Sequence, residues 1–247
     1  MAAPFPSPTP TWHTTTYPSL SPTRPELSAK GKTILITGGG SGIGAETARY
    51  FAAAGASRIG ILGRREKPLL ATKASIELQT PSVDVFVAIT DVTKKEDVDA
   101  AFNAFLQDGQ KLDVLISSAA ALGPLEGLED VDGPAFLDGV QTNLAGALYT
   151  AQAFLRHAAR DAVVVEVNSC AAHVNFAPPF ASYSVAKLAV FRTWDTLAFA
   201  NPNISVFHVQ PGIVDTEMNR QAGGVKATGL QDHGRLTFLL CYSRGTS

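Results

Sequence analysis

A short apolar run, Thr33-Ile34-Leu35-Ile36-Thr37, passes directly into the glycine-rich turn Gly38-Gly39-Gly40-Ser41-Gly42-Ile43-Gly44. No other stretch narrows the choice of fold as far. A run this short, rich in β-branched side chains, reads as a buried strand. The alanine-rich stretch from Ala45 to about Ala54 reads as a helix, and Gly55 supplies its stop. Strand, glycine turn and helix in that order form a backbone cradle for a phosphate. Glycine lets the chain approach the anion, and the unpaired N–H groups of the helix start point at it. The key glycines are Gly38, Gly42 and Gly44, in a turn of the form T-G-x-x-x-G-x-G that Thr37 opens. This is longer than the usual G-x-G-x-x-G. A merely flexible loop is the alternative, and the position between strand and helix argues against it.

From Lys32 onward strands and helices alternate. The pattern predicts strands over 33–37, 58–62, 83–89, 112–118, 162–168 and 204–209, and helices over 43–54, 66–79, 94–107, 134–158 and 180–200. Nearly continuous apolar strands between helices mean a parallel sheet covered on both sides. Right-handed crossovers then give an α/β fold, a doubly wound Rossmann sheet in three layers, with ligands at the carboxyl ends of the strands. The glycine turn, Gly63-Arg64, Asp91, Ser117-Ser118, Ser169 and Pro211-Gly212 all fall just after predicted strands.

One domain over 29–247 is expected. Residues 1–28 hold seven of the 15 prolines and read as an extended or disordered segment, with Trp12 and Tyr17 able to rest on the domain. The tail from about 221 is atypical. Its stretch Arg235-Leu236-Thr237-Phe238-Leu239-Leu240-Cys241-Tyr242 reads as a substitute strand, a flexible end or the product of an altered reading frame. Whether the sheet has its usual last strand is therefore open.

Composition excludes several function classes. A chain of 247 residues with 45% apolar content fills one α/β domain. The formal net charge of −2 carries no basic surplus for a nucleic acid. No apolar run approaches the roughly 18 residues that span a bilayer, and the start lacks the pattern of a secretory signal. Two cysteines, Cys170 and Cys241, fit a reducing compartment, with the cytoplasm as default. The five histidines are scattered, without metal-ligand spacing.

Tyr183 and Lys187 stand four residues apart in Ala181-Ser182-Tyr183-Ser184-Val185-Ala186-Lys187 and share a face if the segment is helical. An ammonium beside a phenol favours the phenolate. A tyrosine so placed can give a proton to a carbonyl oxygen or take one from an alcohol at cellular pH. The spacing alone also occurs by chance on solvated helices.

Thr37-Gly38-x-x-x-Gly42-Ile43-Gly44 together with Tyr183-x-x-x-Lys187 resembles the short-chain dehydrogenase/reductase family, over about Lys32 to Asn219. The wording around Ser184–Phe191 and Phe207–Gly212 is similar to fungal members. The resemblance implies a nicotinamide dinucleotide held by Thr37, Gly38, Ser41, Gly42, Ile43 and Gly44, by Asp91-Val92 near the adenine, and by Ser118 and Ala119 near its ribose. Pro211, Gly212 and Ile213 would cover the nicotinamide, with Thr216 on its carboxamide. Asp91 and Thr216 each have a plainer alternative as a helix cap. Ser117-Ser118-Ala119-Ala120 replaces the family's Asn-Asn-Ala-Gly, so weaker local bracing is expected. The second strand ends in Gly63-Arg64-Arg65, with glycine where an acid would hold the NAD ribose. Arg64 therefore favours NADP(H), with NAD(H) as the alternative.

On the catalytic side the resemblance makes Tyr183 the acid/base, with Lys187 tuning it and holding the nicotinamide ribose. Ser169, 14 residues before Tyr183, would orient the substrate oxygen, and Cys170, 13 before it, competes for the place. A thiol donates hydrogen bonds poorly, which favours Ser169. Asn143 matches the asparagine that completes the proton relay through a water, and His173 is expected in the pocket wall. The reaction implied is NADP-dependent interconversion of a carbonyl compound and its alcohol. The alternative is a cofactor-binding sensor or interaction protein without turnover. Epimerase or dehydratase chemistry reuses the Tyr-Lys pair but needs a larger substrate domain. Excess apolar surface on the two long helices suggests a homodimer or homotetramer, with burial of the second helix by the chain's own tail as the alternative.

Overall fold

The computed structural model describes residues 17–175 and 177–224, together with the backbone of 239–242. Six strands lie parallel: β1 (Thr33–Thr37), β2 (Arg58–Gly63), β3 (Asp84–Ile89), β4 (Leu112–Ser117), β5 (Ala158–Val167) and β6 (Ser205–Gln210). The helices are α1 (Gly42–Ala53), α2 (Glu66–Gln79), α3 (Lys95–Phe105), α4 (Gly133–His157), α5 (Ala181–Ala200) and the short α6 (Glu217–Gln221). Strand order is β3-β2-β1-β4-β5-β6-β7, where β7 (Leu239–Tyr242) pairs antiparallel with β6. The last four residues of Arg235–Tyr242 thus take the first of their three readings, a substitute strand. The remainder of the tail from 225, and Trp12, lie outside the described residues.

Strand alternation builds two cores. In β1, Ile34 and Ile36 pack with Ala48 and Ala52 of α1 on one face. Leu35 between them packs with Phe102, Phe105, Leu115 and Phe154 on the other. Both faces are covered, which is why the three central residues of this strand, Ile34, Leu35 and Ile36, are all apolar, with threonines only at its two ends. Gly55, at φ +87°, ends α1 as its sequence position implies. Asp132 caps α4 by accepting a hydrogen bond from Ala135 N–H at 2.9 Å.

Observed boundaries match the predicted ones within about two residues, except at β5. That strand begins at Ala158, directly after His157 ends α4. The pairing with β4 is irregular there: Leu112 faces Ala158, whereas Val114 already faces Val163. Ahead of the domain, Pro18–Leu20 and Pro25–Leu27 each form one turn of 3-10 helix. The chain joins the fold at Ala29, whose N–H donates to Ala54 O at 2.8 Å.

β1 pairs with β2 on one side and β4 on the other. The winding direction reverses between β1 and β4, and a cleft opens at their carboxyl ends.

Candidate active site

The cleft has a volume of about 390 Å³, within the usual range for small-molecule sites. At its base Gly38 has φ +72°, and a Cβ there would stand 3.1 Å from Ala119 N. A Cβ at Gly44 would stand 2.4 Å from Gly38 O, so only glycine lets α1 pack against the turn. Ser41, Gly42 and Ile43 line the cleft at the start of α1, and no side-chain cap bond from Ser41 occupies that helix end. Open N–H groups, helix dipole and bare backbone fit a dinucleotide phosphate.

Arg64, after β2, lines the same cleft, as do Asp91 and Val92 after β3. Asp91 Oδ1 accepts from the Thr93 N–H at 3.0 Å and from its hydroxyl at 2.8 Å. The carboxylate therefore caps its own turn rather than α3. The Thr93 hydroxyl foremost, with its N–H and the charges of Arg64 and Lys94, holds the Asp91 carboxyl below its usual range against the opposing pull of partial burial.

The loop after β4 is braced from β1. Thr37 Oγ1 accepts from Ser118 N–H at 3.0 Å and from Ala119 N–H at 3.1 Å. A neighbouring hydroxyl thus braces a loop that lacks the family's amide side chains. Asn143 on α4 holds the next residue from both ends: its Oδ1 accepts from Ala121 N–H at 3.0 Å and its Nδ2 donates to Ala121 O at 2.9 Å. The same Nδ2 donates to Gly139 O at 2.9 Å, which supplies the buried partners an asparagine in a helix needs.

Tyr183 and Lys187 lie in the first two turns of α5. The buried Lys187 Nζ stands 5.9 Å from the Tyr183 ring centroid and donates to Val167 O at 2.7 Å. Opposite them Ser169 and Cys170 both line the cleft. Ser169 Oγ accepts from Ala171 N–H at 3.2 Å, leaving its proton for another acceptor. Cys170 is held by its backbone, N–H to Gln210 Oε1 at 2.7 Å.

After β6, Pro211, Gly212, Ile213 and Thr216 complete the wall. Thr216 Oγ1 also accepts from Asn219 N–H at 3.1 Å and caps α6, so the plainer alternative for this residue is present in the fold.

Of the residues singled out in the sequence, Ser41, Gly42, Ile43, Gly38, Arg64, Asp91, Val92, Ser118, Ala119, Asn143, Ser169, Tyr183, Lys187, Pro211, Gly212, Ile213 and Thr216 line one cleft. Thr37 and Gly44 stand behind its wall and hold it in shape. His173 departs from expectation: it is exposed, off the cleft lining, and packs edge-on to Phe191 at 4.7 Å. The Phe191 ring also packs on the buried His208 of β6, so His173 covers the outer edge of this aromatic stack rather than the cleft. Four polar residues near the site escaped the sequence reading: Glu166, Asn168, His208 and Gln210. The available signal was a carboxylate inside the apolar run Val163-Val164-Val165-Glu166-Val167.

Among the described residues no helix is long and apolar enough to cross a membrane, and no group of three metal-ligating side chains converges.

Residues 32–225 match the sequence profile described as short chain dehydrogenase. A sorbose reductase of Schizosaccharomyces pombe is 34% identical over 201 residues, 79% of this chain and 78% of that protein. Among solved structures, an alcohol dehydrogenase from the archaeon Thermococcus sibiricus, complexed with 5-hydroxy-NADP, has a TM-score of 0.70 at 28% identity, covering 79% of this chain and 80% of its own. An NAD+-bound xylitol dehydrogenase has a TM-score of 0.70 at 27% identity, covering 78% of this chain and 75% of its own. The chain belongs to the short-chain dehydrogenase/reductase family and is an oxidoreductase with that family's nicotinamide-dinucleotide-binding fold.

Proposed function

We propose that the protein interconverts a small carbonyl compound and its alcohol with NADP(H), using Tyr183 as the acid/base. The observation that carries this reading is the convergence of Tyr183, Lys187 and Ser169 on the cleft that the glycine turn opens. A bound nicotinamide dinucleotide would supply or accept the hydride. Tyr183 gives its phenolic proton to the carbonyl oxygen in reduction and takes it back in oxidation. The Lys187 ammonium favours the phenolate that remains. Ser169 donates a hydrogen bond to the same oxygen, which the neighbouring Cys170 thiol would do poorly. Asn143 holds the loop at Ala121 and borders a small cavity shared with Lys187, which supports a proton path running inward from the ammonium. Arg64, in the absence of an acid at Gly63, supports NADP over NAD.

The outer faces of α4 and α5 support a subunit interface. Leu137, Leu148 and Leu155 on α4, with Val185, Leu188 and Phe199 on α5, are exposed. Apolar area of that kind on two adjoining helices favours a homodimer or homotetramer, to be checked by light scattering of the purified chain. The cysteine count supports a cytoplasmic location.

The test is titration with NADPH and NADH, followed by a screen of carbonyl compounds for cofactor oxidation. Tyr183→Phe should bind NADPH like the parent and turn nothing over. Turnover in that variant would refute the role of Tyr183. Binding without any turnover by the parent would favour a sensor.

A further inference from the structure

β5 carries a charge where its neighbours on the same face carry none. Ala162 and Val164 point into the core that also holds Val190 and Trp194 of α5. Glu166, two residues further along that face, is 1% exposed. Register sets Ser117 of β4 on one side of it and His208 of β6 on the other.

The two carboxylate oxygens have different surroundings. Oε2 accepts from Asn168 Nδ2 at 2.7 Å and lies 2.9 Å from His208 Nδ1. Asn168 in turn accepts from Ser169 N–H at 2.6 Å through its Oδ1. Oε1 has no hydrogen-bond partner and lies 4.0 Å from Lys187 Nζ. Both groups border an internal cavity of about 10 Å³, the room one water needs, together with Thr37, Ser117, Asn143 and Thr150. From β1, β4 and α4, then, the groups facing Glu166 are polar and uncharged. The titratable ones are Lys187 from α5 and His208 from β6. His208 is itself 3% exposed, with Nε2 unpartnered and its ring 4.2 Å from that of Phe191.

We propose that Glu166 is a positioning residue for the Tyr183–Lys187 pair, a buried counter-ion that holds the Lys187 ammonium from behind and fixes the Ser169 loop through Asn168. The proposal rests on the reading of Tyr183 and Lys187 given above. A buried carboxylate is costly unless a cation answers it, and the Lys or Arg side chain that reaches it is Lys187, at 4.0 Å. Once Tyr183 ionises, two anions share that single ammonium. Glu166 thereby limits how readily the phenolate forms and keeps the proton on Tyr183 for delivery. Removing its charge leaves the ammonium to the phenolate alone.

The test is Glu166→Gln, which keeps shape and most hydrogen bonds but not charge. Tyrosinate formation is followed by ultraviolet difference spectroscopy in the cofactor-free protein, and subtraction of the same titration in Tyr183→Phe isolates the one phenol. The midpoint should move to lower pH by about half a unit or more. NADPH reduction should slow about tenfold, with NADPH binding changed less than about threefold. His208→Asn, which keeps a donor to Oε2, should leave the midpoint in place. A Glu166→Gln titration that overlays the parent, or a His208→Asn shift as large as that of Glu166→Gln, overturns the proposal. If Glu166→Gln does not fold, Glu166→Asp withdraws the charge by one methylene and should shift the midpoint the same way by less; an unchanged midpoint there overturns it too. Turnover retained in Tyr183→Phe defeats the functional reading instead, whereas an inactive Tyr183→Phe with an unshifted Glu166→Gln titration defeats only the counter-ion.

Discussion

The hydroxyl of Thr37 holds the backbone of Ala119. Its oxygen accepts the Ala119 N–H at 3.1 Å, and the adjoining Ser118 N–H at 3.0 Å, across a sequence distance of about eighty residues. The tip of β1 and the loop after β4 are thereby one unit. Thr37→Val keeps the strand and removes the acceptor, leaving two N–H groups to find other partners. Each such bond is worth about 1 kcal/mol, so NADPH affinity should fall roughly tenfold. Fluorescence titration against Thr37→Ser, which keeps the hydroxyl and should bind like the parent, checks this.

Arg64 stands where the cofactors differ. On the reading proposed above, in which Arg64 meets a 2′-phosphate, Arg64→Gln would remove a charge-assisted contact of the order of 1.5–3 kcal/mol. NADPH binding should weaken at least about tenfold while NADH binding stays within about threefold. Parallel titration with both nucleotides reads the difference, and equal losses would place Arg64 outside cofactor recognition.

Acid stability should depend on Thr93. The Asp91 carboxyl is held below its usual range chiefly by the Thr93 hydroxyl. A group whose folded value is depressed contributes stability above its unfolded value, near pH 4, and loses it as pH falls through the lower folded value. Thr93→Val removes the main cause, so acid unfolding should begin at higher pH by a few tenths of a unit. Circular dichroism across that window, compared with Asp91→Asn, measures it; the Asn variant should make the Thr93 effect vanish.

Helix α4 starts on Asp132. Asp132→Ala leaves the Ala135 N–H without its acceptor and should cost about 1 kcal/mol by urea unfolding. NADPH affinity should be unchanged, because the cap lies off the cleft.

The parts of the site that could be read in advance are those whose signal is local. The glycine turn, the helix face shared by Tyr183 and Lys187, and the arginine after β2 each lie within a few residues of the element that gives them meaning. Asn143 is singled out by the family resemblance, and the fold satisfies its amide on Ala121 and Gly139. What could not be read depends on pairing between distant strands. The acceptor role of Thr37 needs β4 beside β1, and Glu166 meets His208 only once β5 and β6 are in register. The run around Glu166 is so apolar that it reads as core, although a carboxylate there has to be answered by a partner. His173 differs for the opposite reason: nearness in sequence to Ser169 suggested the pocket, whereas the side chain is exposed against Phe191 and off the cleft lining.

Helix α4 turns into β5 at a single peptide, His157 to Ala158. Such a junction has no slack, and faces alternate along a strand. Deleting one residue after Val163 would swing Glu166 and Asn168 to the opposite helical layer, severing the Lys187 and Ser169 anchors in one stroke. A one-residue deletion between Ala158 and Val163, where β5 already carries more residues than the facing part of β4, should instead leave the phase of Glu166 and Asn168 intact. The irregular pairing at the amino end of β5 is thus kept apart from the regular register, Val163 to Glu166, that sets the phase of the cleft residues.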